Sequence, residues 1–521
     1  MTAHPERELK FIADRDTFKT AAALPVLGKA SDSAGRRIKS VYFDTDGLDL
    51  MRRRITLRMR RMQGRCIVGV KKSMHSDGSH FERGEMEAPS PTAELDLSLL
   101  DQETVGELRS VIGEKALAPR FGSDIRRTLK TVRLHGAEIE AAFDSGFLFA
   151  GERREPTYEI ELELKSGEPV ALFELGLSLI DALPLKLGVL SKAERGALLL
   201  SGEPPEPVRA LRLALKRAMP TEEAIGTLFR SCLNQFLDNL PALERGDSVE
   251  AVHQMRVAIR RLRSAYGLVY RLCPSAEFDS LRGESKRIGT TLGEVRDWDV
   301  FVESIRNGSL PRFVEAPGRD KLVKAAQSRA DAAHEAVTKL ANERAAARLA
   351  LNLERFIAQR GWRGGAQIDR HAWLSEPVAC FALESLDRLH RKLLKRGEGF
   401  DRLSPPERHA VRIALKHARY ATDFFGALFH PASAPQRYAE RAAALQDLLG
   451  KRNDATVALR LIKTLNFGAD PEIAYAAGLA AGWVARGALG EEPALRNAWR
   501  SLYKAKPYWR DCTEVRNGEA G

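Results

Sequence analysis

A chain of 521 residues is too long for one ordinary domain, so we expect two to four domains. Hydrophobic residues make up 44% and charged residues 29%, as in globular proteins, and no apolar run approaches the length of a bilayer span. This composition excludes a protein with membrane-spanning helices. Because the sequence does not start with a basic and then apolar segment, we expect a cytoplasmic protein. Its five cysteines are widely spaced, without metal-ligand spacing, and we expect them to be reduced.

The formal net charge of +12 is unevenly distributed along the chain. Residues 1–200 contain 31 basic and 31 acidic side chains, so the whole excess belongs to residues 201–521. A basic half beside a neutral half suggests a polyanionic partner for the C-terminal part.

The first part of the chain is predicted to form mostly strands. We place them at 5–13, 36–44, 53–62, 65–73, 80–88, 123–134, 137–149 and 155–166. Helices fit 102–112 and 173–183. Eight antiparallel strands favour a closed barrel, because closure leaves no exposed sheet edge.

A proline-rich segment, "SGEPPEPVR" at 201–209, marks the predicted domain boundary. After it, Ala, Leu, Arg and Glu recur at helical spacing. The predicted fold class is therefore α+β and multi-domain. We expect an N-terminal eight-stranded antiparallel β tunnel or barrel with flanking helices, and C-terminal all-α duplicated four-helix bundles. The predicted limits are 1–201 for the sheet domain, 202–216 for a linker and 217–510 for the helices, with internal repeats at about 217–360 and 375–510.

Charged side chains occupy one face of several predicted strands. In "PERELKFI", Glu6, Glu8 and Lys10 share one face, and Leu9 and Phe11 lie on the other. The segments "RRITLRMRR" (53–61), "HFERGEME" (80–87) and "YEIELELK" (158–165) alternate in the same way. A solvated outer face would also give this alternation, but the predicted helices need apolar sheet surface to pack on. We therefore expect the apolar faces to point outward and the charged faces to line a lumen.

Charges gathered in a lumen need compensation from each other, from a metal or from a ligand. Carboxylate clusters hold hard divalent cations, and Arg or Lys clusters hold phosphoryl oxygens. A lumen with both kinds of group suits a complex of a metal with a polyphosphate.

The row Glu6-x-Glu8-x-Lys10 resembles the ExExK signature of the CYTH superfamily, which includes the triphosphate tunnel enzymes. The resemblance extends over residues 1 to about 201. Further matching segments follow in the family's order: "YFDT" (42–45), Arg58-x-Arg60, Lys71, Arg83-x-Glu85-x-Glu87, Asp144, "EIELE" (159–163) and "SKAERG" (191–196). The resemblance implies an eight-stranded tunnel that binds triphosphate with a divalent metal, Mg²⁺ or Mn²⁺, and hydrolyses it.

The same resemblance implies roles for individual residues. It implies that five carboxylates bind the metal: Glu6, Glu8, Asp144, Glu159 and Glu161. It implies that the triphosphate is bound by Lys10, Arg58, Arg60, Lys71, Arg83, Lys192 and an arginine of the sixth strand. For this last position, Arg126 fits the inward face better than Arg127. Glu6, Glu8 and Lys10 are the candidate catalytic residues. Glu163 shares the face of Glu161, and the sequence does not separate their roles.

The helical half contains a duplication. "HQMRVAIRRLR" (253–263) matches "HAVRIALKHAR" (409–419), and "LGEVRDWDV" (292–300) matches "LGKRNDATV" (449–457). The spacing i, i+3, i+7, i+10 puts one histidine and three cations within roughly an 80° arc of each helix. The paired positions are His253/His409, Arg256/Arg412, Arg260/Lys416 and Arg263/Arg419. A solvated basic face paired with acids such as Asp297, Asp299 and Asp454 is the alternative, but the duplication and the localised charge favour anion binding.

Residues of about 217–510 resemble the CHAD family, the conserved-histidine α-helical domain. That family implies two four-helix bundles whose basic surface binds inorganic polyphosphate, here through His253, Arg256, Arg260, Arg263, His409, Arg412, Lys416 and Arg419. Asn453 stands where the first repeat has Arg296, so the two basic ridges are expected to be unequal.

The leading hypothesis is a metal-dependent inorganic triphosphatase, acting on tripolyphosphate, fused to a module that binds long-chain polyphosphate. Association with polyphosphate granules follows from it. The alternatives are a non-catalytic granule-binding protein, or a tunnel enzyme acting on another triphosphate such as thiamine triphosphate or ATP. Nucleic acid ranks lower as a partner, because the basic ridges lack interleaved aromatic residues. The oligomeric state is not predicted.

Overall fold

The computed structural model of the chain describes residues 6–28, 35–73, 80–307, 316–342, 344–364, 372–465, 470–490 and 492–510. The chain forms two compact units. Unit 1 comprises Met1–Arg209, Leu233–Ala251 and Lys339–Gly361, and unit 2 comprises Ala210–Cys232, Val252–Thr338 and Trp362–Gly521. Two segments of the predicted helical half thus belong to the unit that contains the sheet, which the sequence did not indicate.

Unit 1 is built on one antiparallel sheet. Its nine strands are β1 Glu6–Ile12, β2 Arg36–Asp44, β3 Ile55–Met62, β4 Arg65–Ser73, β5 Glu82–Ser90, β6 Ala118–Leu134, β7 Ala137–Ala150, β8 Arg153–Ser166 and β9 Lys186–Leu187. Their order is β5-β4-β3-β2-β6-β7-β8-β1-β9, and β1 also pairs with β5. In that last pairing Glu6 lies opposite Arg83, and Arg7 lies opposite Glu82. The predicted antiparallel sheet is confirmed, but it has nine strands rather than eight, since the two-residue β9 pairs beside β1.

Five helices precede residue 202: α1 Arg15–Ala23, α2 Asp49–Arg52, α3 Gln102–Ile112, α4 Pro169–Ala182 and α5 Lys192–Ser201. Helix α4 covers the apolar face of β1, where Leu9 and Phe11 are fully buried. A Cβ on Gly176 would lie 2.7 Å from Leu9 Cδ1, so glycine lets the helix approach the strand closely. The expectation that apolar strand faces lie under helices is confirmed for β1.

The "YFDT" segment has a structural role at the end of β2. Both carboxylate oxygens of the buried Asp44 accept backbone hydrogen bonds, from Leu50 N at 3.0 Å and Met51 N at 2.9 Å. Both N–H groups belong to the first turn of α2, where backbone donors have no acceptor within the helix itself. Asp44 therefore fixes the connection that leads from β2 into β3.

The rest of the described chain is helical. The remaining helices are α6 Thr221–Leu237, α7 Leu240–Arg245, α8 Ser248–Val269, α9 Ala276–Arg306, α10 Ala316–Asn342, α11 Arg344–Ala358, α12 Ala372–Ser375, α13 Val378–Arg396, α14 Pro405–Phe425, α15 Ser433–Thr464, α16 Pro471–Gly490 and α17 Glu492–Tyr503. The predicted helical C-terminal region is confirmed. Among the described residues, no helix is both long and apolar enough to cross a membrane.

The duplicated motifs lie on equivalent helices of unit 2. The histidine motifs lie on α8 and α14, and the second pair of motifs lies on α9 and α15. One apolar cluster includes Trp298 and Phe301 of α9, Leu461 of α15 and Ala476 of α16. This cluster holds α9 and α15 together beside their charged positions.

Candidate functional site

A cavity of about 300 Å³ lies within the sheet of unit 1. Its lining is mostly charged, with contributions from both signs. The lining carboxylates are Glu6, Glu8, Glu85, Glu87, Glu140, Glu161, Glu163 and Glu194, and the lining cations are Lys10, Arg54, Arg58, Arg60, Lys71, Lys72, Arg127, Lys165 and Lys192. The strand faces predicted to be inward thus line one cavity.

The charged row of β1 lies along this cavity. Lys71 Nζ lies 3.2 Å from Glu6 Oε2, and Lys10 Nζ lies 3.8 Å from Glu161 Oε1. Burial raises the pKa of the Glu6 carboxyl to about 7, Lys71 opposes this rise, and a hydrogen bond with Glu85 adds to it. Two carboxyl groups in contact in a confined space favour a cation between them.

Arg58 and Arg60 of β3 face the carboxylates of β5. Arg58 Nη2 donates to Glu85, and to Glu87 Oε1 at 2.9 Å; Arg60 Nη1 donates to Glu87 Oε1 at 3.2 Å. Lys71 Nζ is 2.5 Å from Glu85 Oε2. Burial opposes ionisation of Glu85, but Arg58 and Lys71 outweigh it and lower the pKa of this carboxyl to about 2. No role was predicted for Glu85 and Glu87, although their position in "RGEME" placed them on the inward face.

The Nε atoms of Arg58 and Arg60 are buried and have no hydrogen-bond partner among the described residues. A buried guanidinium N–H without a partner is costly, so a ligand oxygen at this place would be stabilised. Phosphoryl oxygens match such donors in geometry and charge. This part of the cavity is therefore suited to an anionic chain.

Lys192, at the start of α5, is held by three carboxylates. Its Nζ lies 2.9 Å from Asp144 Oδ2, 2.5 Å from Glu159 Oε2 and 2.8 Å from Glu161 Oε1. Burial opposes its charge, but these carboxylates hold the pKa of the ammonium well above its usual value. Asp144 and Glu159 are fully buried behind the cavity wall, whereas Glu161 lines the cavity.

The structure corrects the prediction for β6. Arg127, not Arg126, lines the cavity, and Arg126 is exposed. Arg127 donates to both oxygens of Asp144, at 2.7 and 2.6 Å, and to Glu161 Oε2 at 2.5 Å. Ser123 and Ile125 line the cavity with Arg127, and the apolar Ile125 made this face resemble an outer one.

Arg83 and Glu163 complete the predicted set. Arg83 lies on β5 opposite Glu6, but its side chain is outside the described residues. Glu163 lines the cavity and is paired with Lys165, whose Nζ is 2.6 Å from Glu163 Oε1.

Hard oxygen ligands for a divalent cation are present, and four of them, Glu6, Asp144, Glu159 and Glu161, are paired with cations of the protein. In the described part of the chain, no three carboxylate, histidine or cysteine side chains are grouped as a preformed metal site. Glu6, Glu8 and Glu161 line the cavity, and the carboxyl of Glu6 is hydrogen-bonded to that of Glu85. The donor chemistry fits Mg²⁺ or Mn²⁺.

A second cavity, of about 700 Å³, lies in unit 2. Its charged lining comprises His253, Arg256 and Arg260 of α8, Arg296 and Asp297 of α9, Arg412 of α14, and Lys451 and Asp454 of α15. Cations of both repeats therefore line this one cavity. Arg296 and Lys451 were not among the predicted binding residues, although they lie in or beside the second pair of repeated motifs.

Arg256 is anchored on α9. Its Nη1 donates to Gly293 O at 2.9 Å and to Asp297 Oδ1 at 3.3 Å, while Arg460 Nη2 donates to Asp297 Oδ2 at 3.1 Å. On the other repeat, Arg412 Nε is buried and lacks a hydrogen-bond partner among the described residues. Unit 2 thus also has a buried arginine donor that is not hydrogen-bonded to the described part of the chain.

Lys416 lies next to this cluster. Burial, with Arg412, Arg260 and Arg256, lowers the pKa of the Lys416 ammonium to about 7, and Asp454 opposes the change. Such mutual repulsion is relieved when an anion binds among the cations.

The structure does not bring Arg263, His409 or Arg419 to this cavity. Arg263 and His409 are both exposed. The Arg419 guanidinium lies over the Tyr420 ring, 5.3 Å from its centroid. The predicted polyphosphate-binding residues therefore do not all lie together. Four of them, His253, Arg256, Arg260 and Arg412, line the cavity, and Lys416 lies beside it.

Comparisons with known proteins match the two parts of the chain to two domain families. The family model of the CYTH domain matches residues 4–197, and that of the CHAD domain matches residues 227–463. The chain is 37% identical over 117 residues to an inorganic triphosphatase of Haemophilus influenzae; this match covers 20% of the chain and 32% of that relative. An uncharacterized protein of Mycobacterium tuberculosis is 24% identical over 497 residues, 87% of each chain. The crystal structure of the CHAD domain from the plant Ricinus communis is 29% identical, with a TM-score of 0.50, and the alignment covers 58% of this chain and 98% of that one.

Proposed function

Since residues 4–197 belong to the CYTH family and residues 227–463 to the CHAD family, we propose that this chain is a metal-dependent inorganic triphosphatase with an attached polyphosphate-binding module. Its substrate is tripolyphosphate, cleaved at a terminal phosphoanhydride. The observation that carries the proposal is the cavity of unit 1, which is lined by carboxylates and by Arg58 and Arg60, whose buried Nε atoms have no hydrogen-bond partner among the described residues. A metal polyphosphate is the ligand class that uses both kinds of group.

The pairing of β1 with β5 supports the tunnel form of this site. Eight strands pair in the order β5-β4-β3-β2-β6-β7-β8-β1, and the pairing of Glu6 with Arg83 links β1 back to β5. In the proposed enzyme this pairing closes the eight strands around the substrate. A tunnel excludes water from the bound chain except at the reacting end, which strengthens electrostatic contacts there.

The cations of the tunnel bind and orient the triphosphate. Lys10, Arg58, Arg60, Lys71, Arg127 and Lys192 line the cavity, and Arg83 joins them in the proposal. Their N–H groups stabilise the charge that develops on the transferred phosphoryl group and on the leaving pyrophosphate. Water attacks the terminal phosphorus, the phosphorus–oxygen bond to pyrophosphate breaks, and the proton of the water passes to solvent.

The carboxylates hold the divalent cation. Glu6, Glu8 and Glu161, with Asp144 and Glu159 behind them, supply the oxygen ligands. A bound Mg²⁺ or Mn²⁺ supplies charge neutralisation and a water of lowered pKa. Binding of the substrate requires Lys192 and Arg127 to exchange some carboxylate contacts for phosphoryl oxygens.

The cations of unit 2 bind polyphosphate in the second part of the proposal. Arg256, Arg260 and Arg412 line the cavity, and Lys416 lies beside them. Long-chain polyphosphate would keep the catalyst near its substrate or near polyphosphate granules. The domain limits proposed for these functions are 1–201 and 217–510.

Phosphate release from four substrates tests the catalytic proposal. Tripolyphosphate, pyrophosphate, ATP and thiamine triphosphate are each incubated with the full chain and Mg²⁺ or Mn²⁺. Fastest release from tripolyphosphate supports the proposal, whereas preference for ATP or thiamine triphosphate assigns the tunnel to another triphosphate. Absence of release from all four, with retained polyphosphate binding, would identify a binding protein instead.

A further inference from the structure

The cavity of unit 2 has an apolar side that a chain of phosphates does not use. Besides Arg256 and Arg412, its lining includes the apolar side chains of Phe301, Trp483 and Val484. Every outward-facing atom of inorganic polyphosphate is an oxygen, so contact with this wall would strip water from oxygens without replacing their hydrogen bonds. The cavity therefore contains more recognition surface than polyphosphate binding needs.

Trp483 is the part of that wall suited to a planar ligand. Its side chain is 38% exposed, on α16, while Val484 beside it packs against the apolar cluster of α9 and α15. An exposed indole on a supported helix is a stacking platform for an aromatic ring. At about 700 Å³, the cavity is within the range of small-molecule sites.

We propose that this cavity binds a nucleoside polyphosphate, with its phosphates on Arg256, Arg260 and Arg412 and its base against Trp483. The inference rests on the proposed function in one respect, namely that these arginines bind phosphoryl oxygens. It adds a ligand class and a second contact surface. Because both ligands use the same arginines, nucleotide and polyphosphate exclude each other from the cluster.

A base fits this wall better than an alkyl chain. The lining also includes the Ser304 hydroxyl, which donates to Phe301 O at 2.7 Å, and the carboxylates of Asp297 and Asp454. These oxygens can accept further hydrogen bonds, which the ring edges and sugar hydroxyls of a nucleoside can donate and an alkyl chain cannot. An alkyl diphosphate is therefore the informative competitor.

Calorimetric titration of the full chain tests the proposal. EDTA is present, so that metal-dependent turnover in the tunnel does not consume the probe. ATP, inorganic tripolyphosphate, geranyl diphosphate and long-chain polyphosphate are titrated into the wild type and into Trp483→Ala, Trp483→Phe and the double variant Arg256→Ala/Arg412→Ala. Tyr503→Ala is the matched control, because Tyr503 is an exposed aromatic residue of unit 2 that does not line the cavity. ATP binding that survives the double arginine variant belongs to the tunnel and is subtracted.

Trp483→Ala should weaken the arginine-dependent binding of ATP by about 5- to 150-fold, the range for loss of one base–aromatic stack. Trp483→Phe and Tyr503→Ala should leave it near the wild-type value, and none of the three should change polyphosphate binding. Equal ATP binding by wild type and Trp483→Ala would overturn the inference, as would tighter Trp483-dependent binding of geranyl diphosphate. If polyphosphate also fails to bind at the arginines, the proposed function of unit 2 fails as well, so the two failures are distinguishable.

Discussion

Lys192 Nζ and Glu161 Oε1 are 2.8 Å apart in the cavity of the sheet. The first belongs to a predicted phosphate-binding residue and the second to a predicted metal ligand, and here they neutralise each other. Substrate and metal together offer each partner a replacement, a phosphoryl oxygen for Lys192 and a divalent cation for Glu161. Either one alone would take one opposite charge away from the remaining partner, leaving Lys192 with Asp144 and Glu159 only, or Glu161 with Arg127 and Lys10 only. The pair therefore explains why tripolyphosphate and metal are expected to bind together.

The arginines of β3 provide the first test. Arg58→Ala and Arg60→Ala should each reduce kcat/KM for tripolyphosphate by roughly 10- to 150-fold, because each removes a charge-assisted contact worth about 1.5–3 kcal/mol. Steady-state phosphate release measures the effect. Arg61→Ala is the matched control, since Arg61 lies on the exposed face of the same strand. Equal kinetics for all three variants would mean that these arginines do not contact substrate.

A comparison of adjacent arginines tests the register of β6. Arg127→Ala should lower tripolyphosphate turnover and destabilise the fold, because it leaves the buried Asp144 and Glu161 without one of their cations. Breaking a buried pair costs about 3–5 kcal/mol. Arg126→Ala should change neither property, and denaturant unfolding together with phosphate release measures both. Loss of activity in Arg126→Ala alone would restore the register predicted from the sequence.

Polyphosphate binding by unit 2 should depend on where the cations lie. Arg256→Ala/Arg412→Ala should weaken binding more than Lys324→Ala/Arg329→Ala, which removes two exposed charges of α10 outside the cavity. Titrations at two salt concentrations should also show a smaller salt dependence for the first pair, by analogy with counterion release from nucleic acids. If both pairs lose affinity equally, net charge alone accounts for binding.

Lys416 should make polyphosphate binding depend on pH. Its pKa of about 7 is lowered by burial and by Arg412, Arg260 and Arg256, with Asp454 opposing. Only the protonated ammonium attracts phosphate, so binding takes up a proton and affinity should fall as pH rises from about 6 to about 9. Long-chain polyphosphate, whose internal groups stay ionised, is the probe. Lys416→Arg should abolish the dependence in this window, since arginine stays charged; an unchanged profile in this variant would show that another group is responsible.

The inward row of β1 could be predicted because strand side chains alternate and the helices must cover the apolar face. In β6 the alternation holds, but the wrong face was assigned to the interior, because the apolar Ile125 lies on the cavity side with Arg127. The burial of Asp144 could not be predicted from its own strand, because it depends on contact with Lys192 of α5, which is distant in sequence. Helical spacing grouped Arg263 with Arg256 and Arg260, but spacing does not show which element packs against each turn.

The metal-binding role of β1 in tripolyphosphate hydrolysis is tested most directly by measuring both activity and stability in Glu6→Gln and Glu8→Gln. Phosphate release from tripolyphosphate is measured with and without Mg²⁺ or Mn²⁺, and the free energy of unfolding is measured at pH above the Glu6 pKa of about 7. Because the folded state binds this proton more tightly than the unfolded state, an ionised Glu6 costs stability as pH rises, and Gln removes that cost. We expect metal-dependent phosphate release by the wild type and its loss in both variants. We also expect the free energy of unfolding of Glu6→Gln to equal or exceed that of the wild type. Near-normal, metal-dependent release in both variants would contradict the metal-binding role of this strand.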